Sequence, residues 1–535
     1  MKISFFSYFI VFLSVFLFVR CNSDFEFNDN ELNIEENIDQ STSIIDESII
    51  KAMNINEIAK KWSIELYKLQ DNHAIWIKYD SLSTGISSFF NYVNSDTSLN
   101  IPFGYFSTSS FDGESSILEK EIITVLRCAE FLFLKDTTII NHQKNTINPS
   151  QRISPKAFIA FINEDSKLES WISRLLNYKE NNKRLIQMHL ALNDFTEKHG
   201  VEENKNEKIP TDLKDSILVH DFITQQLRKR NFIKDSILSN EEMLTQLRSF
   251  QFLNGLNADG EIGKNTVSAL TETNYSRYLK GVIAIDKMRE FPDSLKSGKI
   301  IVINIPSFLL HLYIDDEVIN TSRVVVGTQS NQTPLFTSTM KYIVVSPYWN
   351  VPYSIASKEI LPNLKKDRSY LSRNRYSILD RDRNVMVTDS IDWNSYKQSN
   401  FPFFVRQEPG PSNSLGLVKL LFPNENSIYI HDTPSKALFS RDERTFSHGC
   451  IRTENPFKLV NDILSSEEHS YLDSVAVLSE RSKETYLILN ETFPVTIVYQ
   501  TAGINDSTKQ VQFFKDIYKK EDPLYKLFQQ PIKEK

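Results

Sequence analysis

Ile428-Tyr429-Ile430-His431-Asp432-Thr433-Pro434 and, after a short interval, Phe446-Ser447-His448-Gly449-Cys450-Ile451-Arg452 organise the C-terminal half of the chain. The first run alternates apolar side chains and ends on His431, the pattern of a short strand that delivers an imidazole to a sheet edge. Fifteen residues lie between His431 and Ser447, enough for one surface loop to bring Cys450 back beside it. A thiol attacks as its thiolate, and histidine, with a pKa near neutrality, is suited to take the proton. Gly449 lets the backbone come close to a ligand, and the amides around Gly449 and Cys450 would donate to an oxyanion. These residue types describe a thiol acyltransferase or hydrolase. A zinc site from His431, His448 and Cys450 is the weaker alternative, because H-x-C is poor ligand spacing and no fourth ligand is evident. His448 also fits a structural hydrogen-bonding role rather than that of the base.

Upstream, Lys299–Ile305 and His311–Asp315 read as a hairpin, followed by strands at Ser322–Gly327 and Tyr342–Val345. The stretch 346–426 is rich in proline and loop residues and carries a run of Lys and Arg at 365–383. It reads as an insertion, a lid over the sheet. Strand patterns return at Ser427–Ile430 and at Val495–Tyr499. The expectation for this half is an all-β sheet with a lid.

Residues 241–272 differ in texture, with three glycines within nine residues at 255–263. They read as a helix ending at Asn254-Gly255, a tight Asp259-Gly260 turn, and a helix opening near Thr266. From about 50 to 235 the period is helical, as in Ile55-Ala59-Trp62-Leu66 and Ile122-Leu126-Ala129-Phe133. Cys128, inside the second of these, reads as a small buried hydrophobe. Residues 22–50, rich in Asn, Asp, Glu and Ser, read as a solvated tether. Before them, Lys2 precedes an uncharged run, Ile3 to Val19, longer than a usual signal core and shorter than a spanning helix. The expectation is an uncleaved anchor or acylation of Cys21, although Arg20 stands where a lipoprotein signal wants a small residue. Plain cleavage is the third option, and all three place residues 22–535 outside the cytoplasm.

Composition bounds these readings. Against 61 Lys and Arg stand 68 Asp and Glu, a net charge of −7, which argues against a nucleic-acid partner. With 40% hydrophobic and 24% charged residues the chain is not globally disordered. Three widely spaced cysteines, Cys21, Cys128 and Cys450, rule out a disulfide framework and a four-cysteine zinc site.

Residues 431–452 resemble the signature of the L,D-transpeptidase (YkuD) catalytic domain, an upstream His paired with S-H-G-C, a hydrophobic residue and Arg or Asn. Val344–Pro352, Arg406–Lys419 and His431–Phe439 are similar to the YcbB-like branch in particular. The likeness is strong from about 299 to 480 and weaker through Val511–Tyr518. The segment Phe250-Gln251 through Leu270 resembles a small helical peptidoglycan-binding domain. The implied fold is multi-domain α+β. A signal or anchor segment (1–21) and a tether (22–50) would precede a helical scaffold (51–235) and a peptidoglycan-binding-like domain (236–285). A mainly-β catalytic domain (298–525) with a lid at about 346–426 would follow.

The resemblance implies Cys450 as nucleophile and His431 as proton acceptor and donor, oriented by the Asp432 carbonyl. His448 would shape the oxyanion site, next to Gly449. Arg452 would hold a substrate carboxylate or brace the loop, and Tyr429 and Trp349 would be pocket walls or sheet core. The implied partners are peptidoglycan stem peptides in the periplasm or cell envelope, joined by 3→3 cross-links, and no metal or organic cofactor is implied. Water as acceptor would give an L,D-carboxypeptidase, and a third option is a catalytically silent wall-binding protein. Arg20, the scarcity of glycine and the long helical region without family likeness depart from the pattern.

Overall fold

The computed structural model describes residues 44–53, 57–75, 77–78, 81–82, 116–136, 154–163, 183–201, 216–233, 239–289, 298–315, 317–481 and 483–528. The expected anchor segment 1–21 and most of the expected tether lie outside these residues. The tether ends earlier than its composition suggests. Helix Glu47–Ala52 is capped by Asp46, and Ile45 and Ile50 are buried. Hydrophobic side chains there found a partner surface, so this part of the chain packs instead of being solvated. Helices Glu57–Leu69, Ile117–Asp136 and Pro155–Asn163 join it, beside the short strands β1 (Ile77–Lys78) and β2 (Ser81–Leu82). Trp62 and Phe158 meet edge to face at 5.7 Å, and Cys128 is fully buried.

Helices Lys183–His199, Ser216–Lys229, Asn240–Leu253, Lys264–Thr271 and Asn274–Arg289 form a second helical unit. The boundary expected at 235 falls inside it. Phe222, Ile223 and Leu227 share a core with Met243, Leu247, Phe250 and Leu270. Periodicity reveals helices but not which helices pack together. Asn240–Leu253 starts with a capping box between Ser239 and Glu242 and stops at Asn254, with Gly255 at φ +64°. The buried Gln251 side chain clamps the next turn, donating to Asp259 Oδ1 at 3.0 Å and the Glu261 carbonyl at 2.8 Å while accepting from the Gly260 amide at 2.8 Å. The residues that carry the resemblance to a glycan-binding repeat are therefore employed in core and turn.

The strands β3 (Ile300–Asn304), β4 (Leu309–Ile314), β5 (Glu317–Gly327) and β6 (Phe336–Val345) follow. With β10 (Val418–Leu421), β11 (Ile430–His431), β12 (Thr445–Ser447), β13 (Ile451–Thr453) and β14 (Thr485–Val498) they make a nine-stranded mixed sheet. Its order is β12-β5-β13-β11-β10-β6-β14-β3-β4, and β5 also pairs with β4, so the sheet closes on itself. Ile301, Ile303, Val324, Val326, Ile343, Val345, Val418, Leu420, Ile430 and Ile451 fill the interior with helix Pro456–Ser465. The weak similarity at Val511–Tyr518 belongs elsewhere. β15 (Ala502–Ile504) and β16 (Val511–Phe513) form a separate hairpin packed on the second helical unit.

The insertion is shorter than expected. Because Val418–Leu421 is a strand in the middle of the sheet, the inserted segment ends at Leu417, and its neck is closed by Ser346 N–H donating to the Leu417 carbonyl at 2.8 Å. It has its own three-stranded sheet, β7 (Trp349–Val351), β9 (Phe404–Gln407) and β8 (Tyr376–Leu379) in that spatial order. It also has its own core around Ile360, Leu364, Trp393 and Val405. This is a small folded body, not a loop.

Candidate active site

Lys419 on β10 stands opposite His431 on β11, and His431 stands opposite Arg452 on β13. Val418, Leu420, Ile430 and Ile451 point into the core, so the alternate residues take the other face. Lys419, Tyr429, His431, Cys450 and Arg452 thus line one patch. The insertion meets that patch. Trp349 hydrogen-bonds Tyr429, and Glu359 Oε1 is 2.8 Å from His448 Nε2.

His431 is buried, and its Nδ1 lies 2.5 Å from the Asp432 carbonyl. A carbonyl only accepts, so Nδ1 carries the proton, and the ring is also held by the backbone of Leu415. Burial, then the Arg452 charge, push the His431 pKa down to about 3. Burial also raises the half-buried Cys450 thiol. Hydrogen bonds from the Tyr429 backbone and hydroxyl, and the Arg452 charge, oppose that rise. The resting groups at neutral pH are a neutral thiol and a neutral imidazole on one face of the sheet, and the proton must move as the sulfur attacks.

The same shift makes stability depend on pH. An unfolded histidine titrates near 6.5, so between pH 6.5 and 3 the unfolded chain binds a proton that the folded chain refuses. The stability is complete above about pH 6.5 and drains away toward pH 3, by on the order of 5 kcal/mol at the bottom of that window. Acid denaturation of His431→Gln, followed by circular dichroism, is expected to move to lower pH. An unmoved midpoint would show that His431 is not held neutral.

The turn before Cys450 is fixed by a hydroxyl network. Ser447 Oγ donates to the Cys450 carbonyl at 2.6 Å and accepts from the Gly449 amide at 3.1 Å. Thr333 Oγ1 donates to the Gly449 carbonyl at 2.7 Å, and Tyr518, which bonds the Thr333 amide, donates to the Gly327 carbonyl at 2.6 Å. The Gly449 amide is therefore engaged by the Ser447 hydroxyl. Among the described residues the Cys450 amide has no hydrogen-bond partner, and it is the donor left. His448 turns out of the turn toward Glu359 and is half exposed. Tyr429 and Trp349 are half-buried on the patch and its border with the insertion, outside the interior core of the sheet. Arg452 Nε is buried without a hydrogen-bond partner, close enough to act on both Cys450 and His431.

Sequence reasoning passed over the Asp432 side chain. It accepts from the Leu417 amide at 2.9 Å, the Thr433 amide at 2.7 Å and Lys436 Nζ at 2.7 Å, tying the insertion's neck to the strand that carries His431. Its one visible signal was the i, i+4 spacing to Lys436. The loop from His431 to Cys450 is also held by the second helical unit. The Asn257 amide donates to Asp442 Oδ1 at 3.0 Å and its side chain to the Ser440 carbonyl at 3.1 Å. Among the described residues no group of three His, Cys, Asp or Glu side chains converges as metal ligands, and no helix is long and apolar enough to cross a membrane.

Residues 298–477 match the YkuD family model, described as the L,D-transpeptidase catalytic domain. The matched residues take in most of the closed sheet and the whole Cys450 patch. A Haemophilus influenzae protein, named provisionally as an L,D-transpeptidase, is 35% identical over 262 residues, 48% of this chain and 52% of that one. The chain thus spans about half the length of that curated relative. Among solved structures, L,D-transpeptidase 1 of Mycobacterium tuberculosis is 15% identical, covering 38% of this chain and 62% of that one, with a TM-score of 0.15. An L,D-transpeptidase from Xylanimonas cellulosilytica is 12% identical over 56% of this chain and 99% of that one, at 0.17. Superpositions this loose add no weight to the sequence match. Within the matched residues, a separately folded insertion stands between β6 and β10.

Proposed function

We propose that the protein is a peptidoglycan L,D-transpeptidase of the cell envelope that forms 3→3 cross-links through a Cys450 thioester. The observation that carries this reading is the neutral, carbonyl-anchored His431, which shares a sheet face with Cys450. Cys450 sulfur attacks the carbonyl of the third stem residue while its proton passes to His431 Nε2. The oxyanion so formed is met by the Cys450 amide. When the tetrahedral adduct collapses, the C–N bond breaks, the leaving D-alanine amine takes the proton from His431, and a thioester remains. The side-chain amine of a second stem then attacks, gives its proton to His431 and displaces the sulfur, which regains that proton.

Incubation of the full chain with a disaccharide tetrapeptide tests this, with mass spectrometry of products. A dimer with a 3→3 bond and stoichiometric D-alanine supports it. Tripeptide and D-alanine without dimer would identify a carboxypeptidase, and intact substrate would leave the wall-binding alternative.

The insertion serves here as the lid, keeping water from the thioester so that an amine wins. It rests against the catalytic turn through Glu359 and His448. Glu359→Ala is expected to raise the ratio of tripeptide to dimer by roughly two- to fivefold; an unchanged ratio would dismiss that role.

A further inference from the structure

Lys419 sits mid-strand between two core residues, where an apolar strand would ordinarily tolerate any outward side chain. It is half-buried, yet among the described residues its ammonium makes no hydrogen bond or ion pair. Its ammonium lies 5.8 Å from the Tyr429 ring centroid. Glu484 acts on it electrostatically, but forms no ion pair with it and accepts instead from the Tyr348 amide at 3.0 Å. A partly desolvated ammonium without a counter-ion is costly unless something anionic visits it. Burial lowers its pKa, as expected of such a group.

The strand order says which anion. Across the sheet the sequence is β10, β11, β13, so His431 lies between Lys419 on one side and Cys450 with Arg452 on the other. The acyl group bonds to the sulfur on the β13 side. The amine that His431 protonates departs on the opposite side, toward β10. In an α-amino acid the carboxylate is two bonds from the amine, and neighbouring strands are about 4.8 Å apart, so one strand step accommodates the difference. We propose that Lys419 binds the terminal carboxylate of the donor peptide, selecting stems that end at the residue to be expelled. This rests on the transpeptidase reading above. Lys419 is then a binding and positioning residue for the leaving group, whereas Arg452 faces the acyl side.

The test compares a tetrapeptide stem having a free terminal carboxylate with the same stem as its C-terminal amide, in the full chain and in Lys419→Met. The parent is expected to release D-alanine from the acid at least about tenfold faster than D-alaninamide from the amide, the scale of one charge-assisted contact. Lys419→Met should slow release from the acid far more than from the amide, so that the two rates converge, and Lys419→Arg should restore part of the preference. Equal slowing of both donors, or no preference in the parent, overturns the proposal. A parent that releases neither refutes the transpeptidase reading itself. Lys419 is then judged by protection of Cys450 from iodoacetamide. N-acetyl-D-alanine should protect the parent better than its amide does, and should lose that advantage in Lys419→Met. Equal protection by acid and amide in the parent rejects the carboxylate site.

Discussion

Cys450→Ala is expected to abolish both thioester formation and D-alanine release, and His431→Gln to slow acylation by about 10²- to 10⁴-fold. The two losses differ in kind. Without Cys450 no covalent adduct forms at any pH. Without His431 the nucleophile remains, but burial keeps its thiol up, so little thiolate is present at neutral pH. The residual rate of His431→Gln should therefore climb about tenfold per pH unit until the thiol ionises, because hydroxide replaces the missing base. The parent should show no such climb, since its base is neutral at every pH above about 3. Single-turnover acylation followed by intact mass across pH 6–9 separates these cases. A His431→Gln profile as flat as the parent's would mean that another group takes the proton.

Much of this site was legible because its chemistry is local in sequence. His431 ends β11 and Cys450 immediately precedes β13, and the segment between them is short enough to read. Residues whose roles depend on distant partners were not legible. Glu359 meets His448 only because the insertion folds back on the turn, and nothing in its own surroundings advertises that. The strand Val418–Leu421 was read as lid because it is four residues long and its outward position is a lysine, which breaks the apolar run. Which of the two amides is left free was not legible for a similar reason. Gly449 announces a special backbone, but the fate of its amide was decided by the Ser447 hydroxyl. Domain limits failed where helices of one unit are far apart in the chain, and where the β15–β16 hairpin left the sheet to cover helices Lys183–His199 and Asn274–Arg289.

Gly449→Ala should produce the other large effect, a loss of acylation of roughly 10²-fold or more in a chain that still folds, as expected when a reacting group is displaced by about an ångström. Gly449 has φ +119°, which L residues rarely adopt, and an added Cβ would lie 3.3 Å from Ile428 Cδ1. Relief of that strain, on the order of 1–3 kcal/mol, would rotate the peptide into Cys450. The Cys450 amide and thiol move together, because both hang from the residue that the turn presents. The core beneath them does not depend on the turn. Ile430 and Ile451 stay paired in register, so Tm should fall by only a few degrees. Gly416→Ala provides the contrast. Its Cβ would overlap the Asp432 carboxylate, which holds the insertion's neck, so it should loosen the insertion rather than the turn. If Gly449→Ala acylates within about threefold of the parent, the backbone at 449 is not what aims the sulfur, and the Ser447 hydroxyl becomes the group to remove next.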